Sequence, residues 1–527
     1  MVRRLFFFAF VVLTALTVGV VSIWPGSWWI IFIVAPFLLL GLYDLTQTKH
    51  TIPRIYPVIG RLRYFFESIR PEIQQYFVET DTNGQPVNRE FRSLVYQRAK
   101  GARDTRPFGT MFDVYRPGYE WINPSLSPTP VAEKESRVLV GGPQCTKPYA
   151  ASHLNISAMS FGALSRHAIL ALNKGARIGG FAHNTGEGGI SSYHREPGGD
   201  LFWQIGTGYF GCHDNKGYFS PQAFAEKAVL DQVKMIEIKL SQGAKPGHGA
   251  ILPAAKLTEE IAAIRDVPMG HDVLSPLGHS AFSSPTGLLE FVAQLRALSG
   301  GKPVGFKLCI GIKSEFLAIC KAMLATGIYP DFITVDGSEG GTGAAPIELT
   351  NSVGTPMRDG LSFVHSALLG IGIRKHIRII AAGKAISAFH MLRMLALGAD
   401  MINSARGMMF ALGCIQSRNC NTNTCPTGVA TQDPARYKQL NIQDKAQRVA
   451  QYHDTTIHAL LELLSSAGLN DPDEARPHHI LRRVNGPEIK TYAQLYPCIE
   501  CECLLPEGHV PEQWKDAWDT AEPTRWN

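Results

Sequence analysis

Eight short runs rich in β-branched and apolar residues, each followed by a longer helical pattern, predict an α/β chain built on a (β/α)8 TIM barrel. Glycine-rich and polar segments follow many of these runs. That spread favours a closed barrel over a doubly wound open sheet, whose ligand loops gather at one switch point. Two charge-free apolar runs near the N-terminus predict a transmembrane helical hairpin ahead of the barrel.

Residues 5–24 have about the twenty positions needed to cross a bilayer core, and 28–43 form a second, slightly shorter run after the tight turn Pro25-Gly26-Ser27. Arg3 and Arg4 precede the first run, and Lys49, Arg54, Arg61 and Arg63 follow the second. The positive-inside rule therefore puts both ends in the cytoplasm, as a two-helix, multi-pass protein of the cell inner membrane with Trp24, Trp28 and Trp29 at the far interface. A cleaved signal peptide is the competing reading, but no small-residue cleavage site is visible and a second apolar run follows at once. Residues 1–50 are thus the hairpin. Residues 51–130, mixed in composition with helical pieces at 59–69 and 89–98, are a neck and barrel cover.

The barrel is expected over 131–476, with strands at 155–159, 180–183, 202–205, 236–240, 304–308, 332–335, 378–381 and 401–403. Residues 477–527 form a cysteine-containing extension. A net charge of +6 without a lysine- or arginine-dense block argues against nucleic acid as a partner. Ten cysteines in unequal clusters suit ligand or redox use in a reducing compartment better than a secreted disulfide framework.

The chemistry is expected in the loops after the strands. After the sixth strand comes Asp336-Gly337-Ser338-Glu339-Gly340-Gly341-Thr342-Gly343, after the seventh Gly383-Lys384, and after the eighth Ser404-Ala405-Arg406-Gly407. Missing side chains let backbone N–H groups approach an anion, and barrels commonly hold phosphates after their last two strands, so a cofactor phosphate is expected there. The fourth strand delivers Lys239 to the barrel mouth, with Gln242 and Lys245 on the loop above; a lysine pointing into a barrel requires an anionic partner. Glu187 lies among glycines after the second strand. Cys414, Cys420 and Cys425, held by Gly413, Pro426 and Gly428 over residues 413–428, read as thiolate ligands of a soft centre, with an iron–sulfur cluster the best candidate. A second cysteine group, Cys498, Cys501 and Cys503, has no diagnostic spacing and reads equally as a structural cluster or as ligands for zinc, completed by His509, or for another cluster.

These segments resemble the synthase domain of glutamate synthase. The matching stretches are Ser157-Ala158-Met159-Ser160-Phe161-Gly162, residues 184–189, 242–247 and 340–343, and 414–432 with its Cys-Pro-Thr-Gly-Val-Ala-Thr-Gln ending. More narrowly, the chain resembles stand-alone, FMN-binding glutamate synthase family proteins with an N-terminal membrane segment. The resemblance implies FMN held by Ala158, Met159, Ser160, Gln204 and Lys239, with its phosphate against Gly341, Gly343, Gly383, Ser404 and Arg406. It implies a [3Fe-4S] cluster on Cys414, Cys420 and Cys425. It further implies 2-oxoglutarate and ammonia as substrates, with Gln242, Lys245 and Arg265 binding the oxo acid and Glu187 and Lys239 as catalytic residues.

The chain departs from the family pattern in informative ways. Glutamate synthases begin with a glutaminase domain whose nucleophile is an N-terminal cysteine, whereas here Met1 leads into apolar sequence. Ammonia is therefore expected free or from a separate glutaminase. No strand-associated G-x-G-x-x-G is present, so electrons are expected from a partner, either a ferredoxin or an NAD(P)H-oxidising subunit. Asn421 stands where the family often has histidine, and His248 replaces a common acidic residue. The alternatives kept open are the same cofactors acting on another 2-oxo acid or amine, as in glutamate-dependent N-methylation, and a non-catalytic electron-transfer subunit.

Overall fold

Eight parallel strands, buried along almost their whole length, close into a barrel in a computed structural model that describes residues 2–526. They are β1 (Leu154–Ile156), β2 (His183–Asn184), β3 (Leu201–Ile205), β4 (Val233–Lys239), β5 (Val304–Leu308), β6 (Phe332–Asp336), β7 (Arg378–Ala382) and β8 (Met401–Ser404). Neighbours in sequence are neighbours in the barrel, and β8 closes on β1 through Asn403 opposite Asn155. All eight expected strands form, but two are displaced. The first stops at Ile156 instead of Met159, freeing 157–160 as a loop. The second starts at His183 because Gly180 is the left-handed cap (φ 66°) of the preceding helix, Arg166–Gly179.

Alternation along β4 explains both layers of packing. Ile236 and Ile238 belong to the apolar layer beneath the helices, while Glu237 and Lys239 lie on the other face, toward the barrel interior. Glu237 ties the interior together. It accepts hydrogen bonds from Asn184 on β2 (2.8 Å), Gln204 on β3 (2.5 Å) and Thr334 on β6 (2.6 Å), so four strands share one buried carboxylate. Lys307 on β5 pairs with Asp336 of β6 at 3.1 Å. Burial opposes the charge on Lys307, but Asp336 and Glu237 outweigh it and hold the amine above its ordinary value.

Three features outside the barrel bear on the site. The β4–β5 connection carries an insertion with a two-stranded antiparallel piece, Ile251–Leu252 with Val273–Leu274, and a short helix, Glu259–Arg265. The helical position after β8 is interrupted: Arg406–Leu412 gives way to the cysteine loop before the 25-residue helix Ile442–Ser466, which packs on Arg166–Gly179 and Arg89–Ala99. A three-stranded antiparallel sheet joins Glu120–Ile122 to Ile480–Arg483 and Ile489–Thr491, linking the segment before the barrel to the one after it.

The barrel and these additions form one compact unit from Val87 onward; the preceding residues form another. In that first unit α1 (Val2–Ile23) and α2 (Ile30–Thr46) are joined by a 3-10 turn at Pro25–Ser27, and the Phe6 ring occupies the space a Cβ at Gly41 would take. Among the described residues only α1 is both long and apolar enough to cross a bilayer on its own; α2, with 17 residues, is the shorter apolar helix the sequence led one to expect, so one span of the expected hairpin meets that length and the other does not. Beyond α2 lies a basic, aromatic-rich helix, α3 (Arg61–Ile73).

Glu120, 5 % exposed, accepts hydrogen bonds from Arg358 (2.5 Å), Arg393 and Tyr492 (2.9 Å) and pairs with Arg482, joining the three-stranded sheet to two barrel helices. Truncating it leaves three half-buried arginines without a counter-charge. Glu120→Ala is expected to lower the stability of the barrel unit by about 3 kcal/mol in denaturant unfolding, as for one partner removed from a buried ion pair.

Candidate active site

Most of the sequence-predicted side chains converge at the C-terminal end of the barrel strands, where barrel sites are built. Glu187, in the loop after β2, forms an ion pair with Lys239 at the end of β4, and Lys239 also donates to Gln242 Oε1 at 3.1 Å. Gly206, after β3, lets this carboxylate approach: a Cβ there would lie 2.5 Å from Glu187 Oε2. Burial alone would raise the Glu187 carboxyl. Lys239, Arg265 and Lys245 overcome that and hold it below the ordinary carboxylate value.

The same charges act in reverse on the cations. Burial, reinforced by Lys239, pushes Lys245 down to about 8 against the pull of Glu187, and burial brings Arg265 down to about 10. Lys245 donates to Gly249 O at 2.9 Å. Arg265 donates to Ser160 Oγ and Phe161 O, each at 3.4 Å, and its guanidinium lies 5.1 Å from the centre of the Phe210 ring. Arg265 Nε is buried without a hydrogen-bond partner. Three cations therefore surround one carboxylate, and one of them retains an unused donor. This arrangement matches an anionic ligand with more than one charged end.

The residues expected to hold FMN divide into two groups. Ala158, Met159 and Ser160 lie in the loop after β1, with Gly186 close against the backbone of Met159 and Ser160. Gln204 is buried in β3, and its amide is committed to Glu237. On the opposite side the expected phosphate cradle assembles from β6, β7 and β8. The Arg406 guanidinium fills the space beside Gly341, a Cβ at Gly383 would lie 3.6 Å from Gly337 N, and Ser404 Oγ donates to Ala385 O at 2.5 Å. Lys384, named with Gly383 in the loop after β7, is held in the left-handed region at φ 43°. Burial and Arg406 lower its amine, opposed by Glu339. Two cations that repel one another beside close-packed glycine backbone suit an anion such as a phosphate.

Cys414, Cys420 and Cys425 lie on the loop beyond β8, where Cys420 and Cys425 add to the burial that raises Cys414 and Cys425 adds to that raising Cys420. Burial pushes the Cys414 thiol up to about 11. Cys425 is lowered: hydrogen bonds from Thr427 and from the backbone of Ala430, Thr427 and Val429 outweigh its burial. Lys256, in the β4–β5 insertion, donates to Ala163 O (2.6 Å) and Cys420 O (3.4 Å). A Cβ at Gly343 would lie 3.4 Å from Cys420 Cβ, so the cysteine loop touches the glycine-rich loop after β6. Among the described residues no three His, Cys, Asp or Glu side chains are grouped to hold a single metal ion. Neither Cys414, Cys420 and Cys425 nor Cys498, Cys501 and Cys503 form such a group. Cys503 is buried and Cys498 accepts a hydrogen bond from Ser366 at 3.3 Å.

His279, which the sequence did not point to, supports the lysine from behind, with Nε2 2.9 Å from Lys239 O and Nδ1 3.0 Å from Tyr209 OH. Burial pushes its imidazole down to about 4. A lone histidine in an insertion carries no motif that would have revealed this.

Residues 131–470 match the model of the conserved region in glutamate synthase. The glutamate synthase large subunit-like protein YerD of Bacillus subtilis is 38% identical over 488 residues, covering 85% of this chain and 92% of that protein. The archaeal-type glutamate synthase [NADPH] of Thermotoga maritima is 32% identical over 400 residues, 72% of this chain and 76% of that protein. The archaeal glutamate synthase [NADPH] of Methanocaldococcus jannaschii is 35% identical over 322 residues, covering 61% of this chain and 60% of that protein. On the extent of these matches, the chain belongs to the glutamate synthase family, oxidoreductases that act on CH–NH2 groups.

Proposed function

We propose that this chain is a membrane-anchored, FMN- and iron–sulfur-dependent enzyme that reductively aminates 2-oxoglutarate to glutamate through 2-iminoglutarate. The observation that carries the reading is the convergence of Lys239, Lys245 and Arg265 on Glu187 at the barrel mouth. Lys245 and Arg265 supply the positive charge a dicarboxylate requires, and the free Nε of Arg265 is available to it. Gln242, already accepting from Lys239, is placed to orient the bound acid. Glu187 stays ionised at neutral pH, so it can take a proton from the attacking amine and return one as water leaves.

FMN, when bound, would supply the hydride, and an iron–sulfur cluster would supply single electrons. The chain's own contribution to these groups is positional. Ala158, Met159, Ser160 and Gln204 line one side, while Gly341, Gly343, Gly383, Ser404, Arg406 and Lys384 offer backbone and cations to the phosphate. Lys239 provides a positive charge near the flavin ring. Cys414, Cys420 and Cys425 are the cluster ligands, beside the cations Lys256 and Arg406. Ammonia arrives free or from a separate glutaminase, and electrons from a ferredoxin or an NAD(P)H-oxidising subunit. The helices α1 and α2 anchor the chain in the membrane with the barrel in the cytoplasm, an orientation supported by Arg3, Arg4, Lys49, Arg54 and Arg63.

The direct test reduces the purified chain anaerobically and mixes it with 2-oxoglutarate and ammonium. Glutamate should form in step with reoxidation; reoxidation without glutamate would overturn the substrate assignment. Replacing Cys420 with Ser should remove the cluster signal in electron paramagnetic resonance, and a persisting signal would remove Cys420 from the ligand set. The pH response of 2-oxoglutarate binding depends on Lys245. Its amine is charged below about 8 and neutral above, so affinity should be flat up to that point and then fall by as much as about tenfold per pH unit. Lys245→Gln should flatten the profile and weaken binding at pH 7 by about 2 kcal/mol, measured by titration calorimetry.

A further inference from the structure

α3 has an apolar stripe that the described residues of its own unit leave exposed. Leu62, Phe65, Phe66, Ile69 and Ile73 recur at helical spacing on one face, and none of the residues of this helix is buried. Phe65 is 55 % and Phe66 57 % exposed, and just beyond the helix Phe77 reaches 84 %. On the other side Arg63 pairs with Glu67 at 3.1 Å, and Arg70 continues the polar face. The stripe cannot itself cross a bilayer: the helix has 13 residues and is interrupted by charge.

The position of α3 indicates what covers it. Asp44, two residues before the end of α2, has a side chain only 1 % exposed, and residues of the α2–α3 connection and the start of α3 satisfy it. Arg61 donates to it from Nε at 2.9 Å and pairs from Nη2 at 2.7 Å, and Val58 N donates at 3.0 Å. The Arg61 guanidinium also lies 5.5 Å from the centre of the Tyr43 ring. The first residue of α3 is therefore clamped to the last turns of the apolar helix, at the level where hydrocarbon gives way to headgroups. From Lys49 to Ile73 there are five basic side chains, Lys49, Arg54, Arg61, Arg63 and Arg70, against two acidic ones, Glu67 and Glu72.

We propose that α3 is an interfacial helix whose Leu62–Phe65–Phe66–Ile73 face lies in an anionic bilayer surface on the side of the barrel. Aromatic and leucine side chains on one face with arginine on the other are what such a surface binds, and basic residues next to a span add attraction to anionic lipid. The inference rests on the proposed membrane anchor.

The test places the photo-reactive residue p-benzoylphenylalanine at Leu16, Phe66 or Glu67 of the full chain. Each variant is reconstituted in phosphatidylcholine vesicles with or without phosphatidylglycerol, and its cross-links are identified by mass spectrometry. Acyl-chain adducts are expected at Leu16 and Phe66 and should be lost at Glu67, with the Phe66 yield rising when phosphatidylglycerol is present. Lipid adducts at Leu16 combined with cross-links from Phe66 only to this chain or to a second copy would overturn the inference and leave the anchor standing. An absence of lipid adducts at Leu16 would overturn the anchor and the inference together. Equal yields at Phe66 in the two vesicle types would overturn the anionic component.

Discussion

Three cations confront one carboxylate at the mouth of the barrel, and the remaining features of the site are arranged to make that imbalance tolerable. Lys239, Lys245 and Arg265 are each at least largely buried, where charge is costly unless compensated. Glu187 compensates only part of it. The rest is met by carbonyl groups such as Gly249 O and Phe161 O and by the Phe210 ring, all of which a diacid can replace or supplement. The excess positive charge is thus a stored preference for an anion, held by elements that cannot easily relax.

The reason they cannot relax lies one layer below. Glu237 joins β2, β3, β4 and β6 through three short hydrogen bonds, and Lys307 with Asp336 joins β5 to β6. Asp336 also accepts from Gly243 N at 3.0 Å, so the loop carrying Gln242 and Lys245 is fastened to the same polar floor. Gly243 meets Gly337 backbone to backbone, an approach that any side chain would block. Rigid support beneath a charged mouth keeps its geometry ready before a ligand arrives, which is where catalytic electrostatics gains most.

Much of this was legible in the residues. β-branched runs located all eight strands because parallel strands buried on both faces leave continuous apolar signatures. Glycine pointed to the loops after β6 and β7, where Gly341 leaves room for the Arg406 guanidinium and Gly383 for the Met357 side chain. The boundary of β1 differs from that expected because small residues such as Ser157 and Ala158 look the same in a strand or in a loop, and that of β2 because Gly180 caps the preceding helix. The polar floor was invisible, because Glu237 in an apolar strand reveals its partners only when β2, β3 and β6 are brought around it. The insertion that presents Arg265 was equally hidden: its two-residue strands are too short to show a period. Lys256 escaped because a lysine in a loop resembles any surface lysine until its burial is known.

That insertion has a broader consequence. It carries Arg265 at one end of a short helix and, a few residues earlier, Lys256, whose ammonium reaches the carbonyls of Ala163 and Cys420. The contacts of Arg265 at the barrel mouth and the posture of the thiol-bearing loop are therefore encoded in a single excursion of the chain. Exchanging this excursion between relatives would transplant both as one inheritance, and drift in either would be answerable to the other.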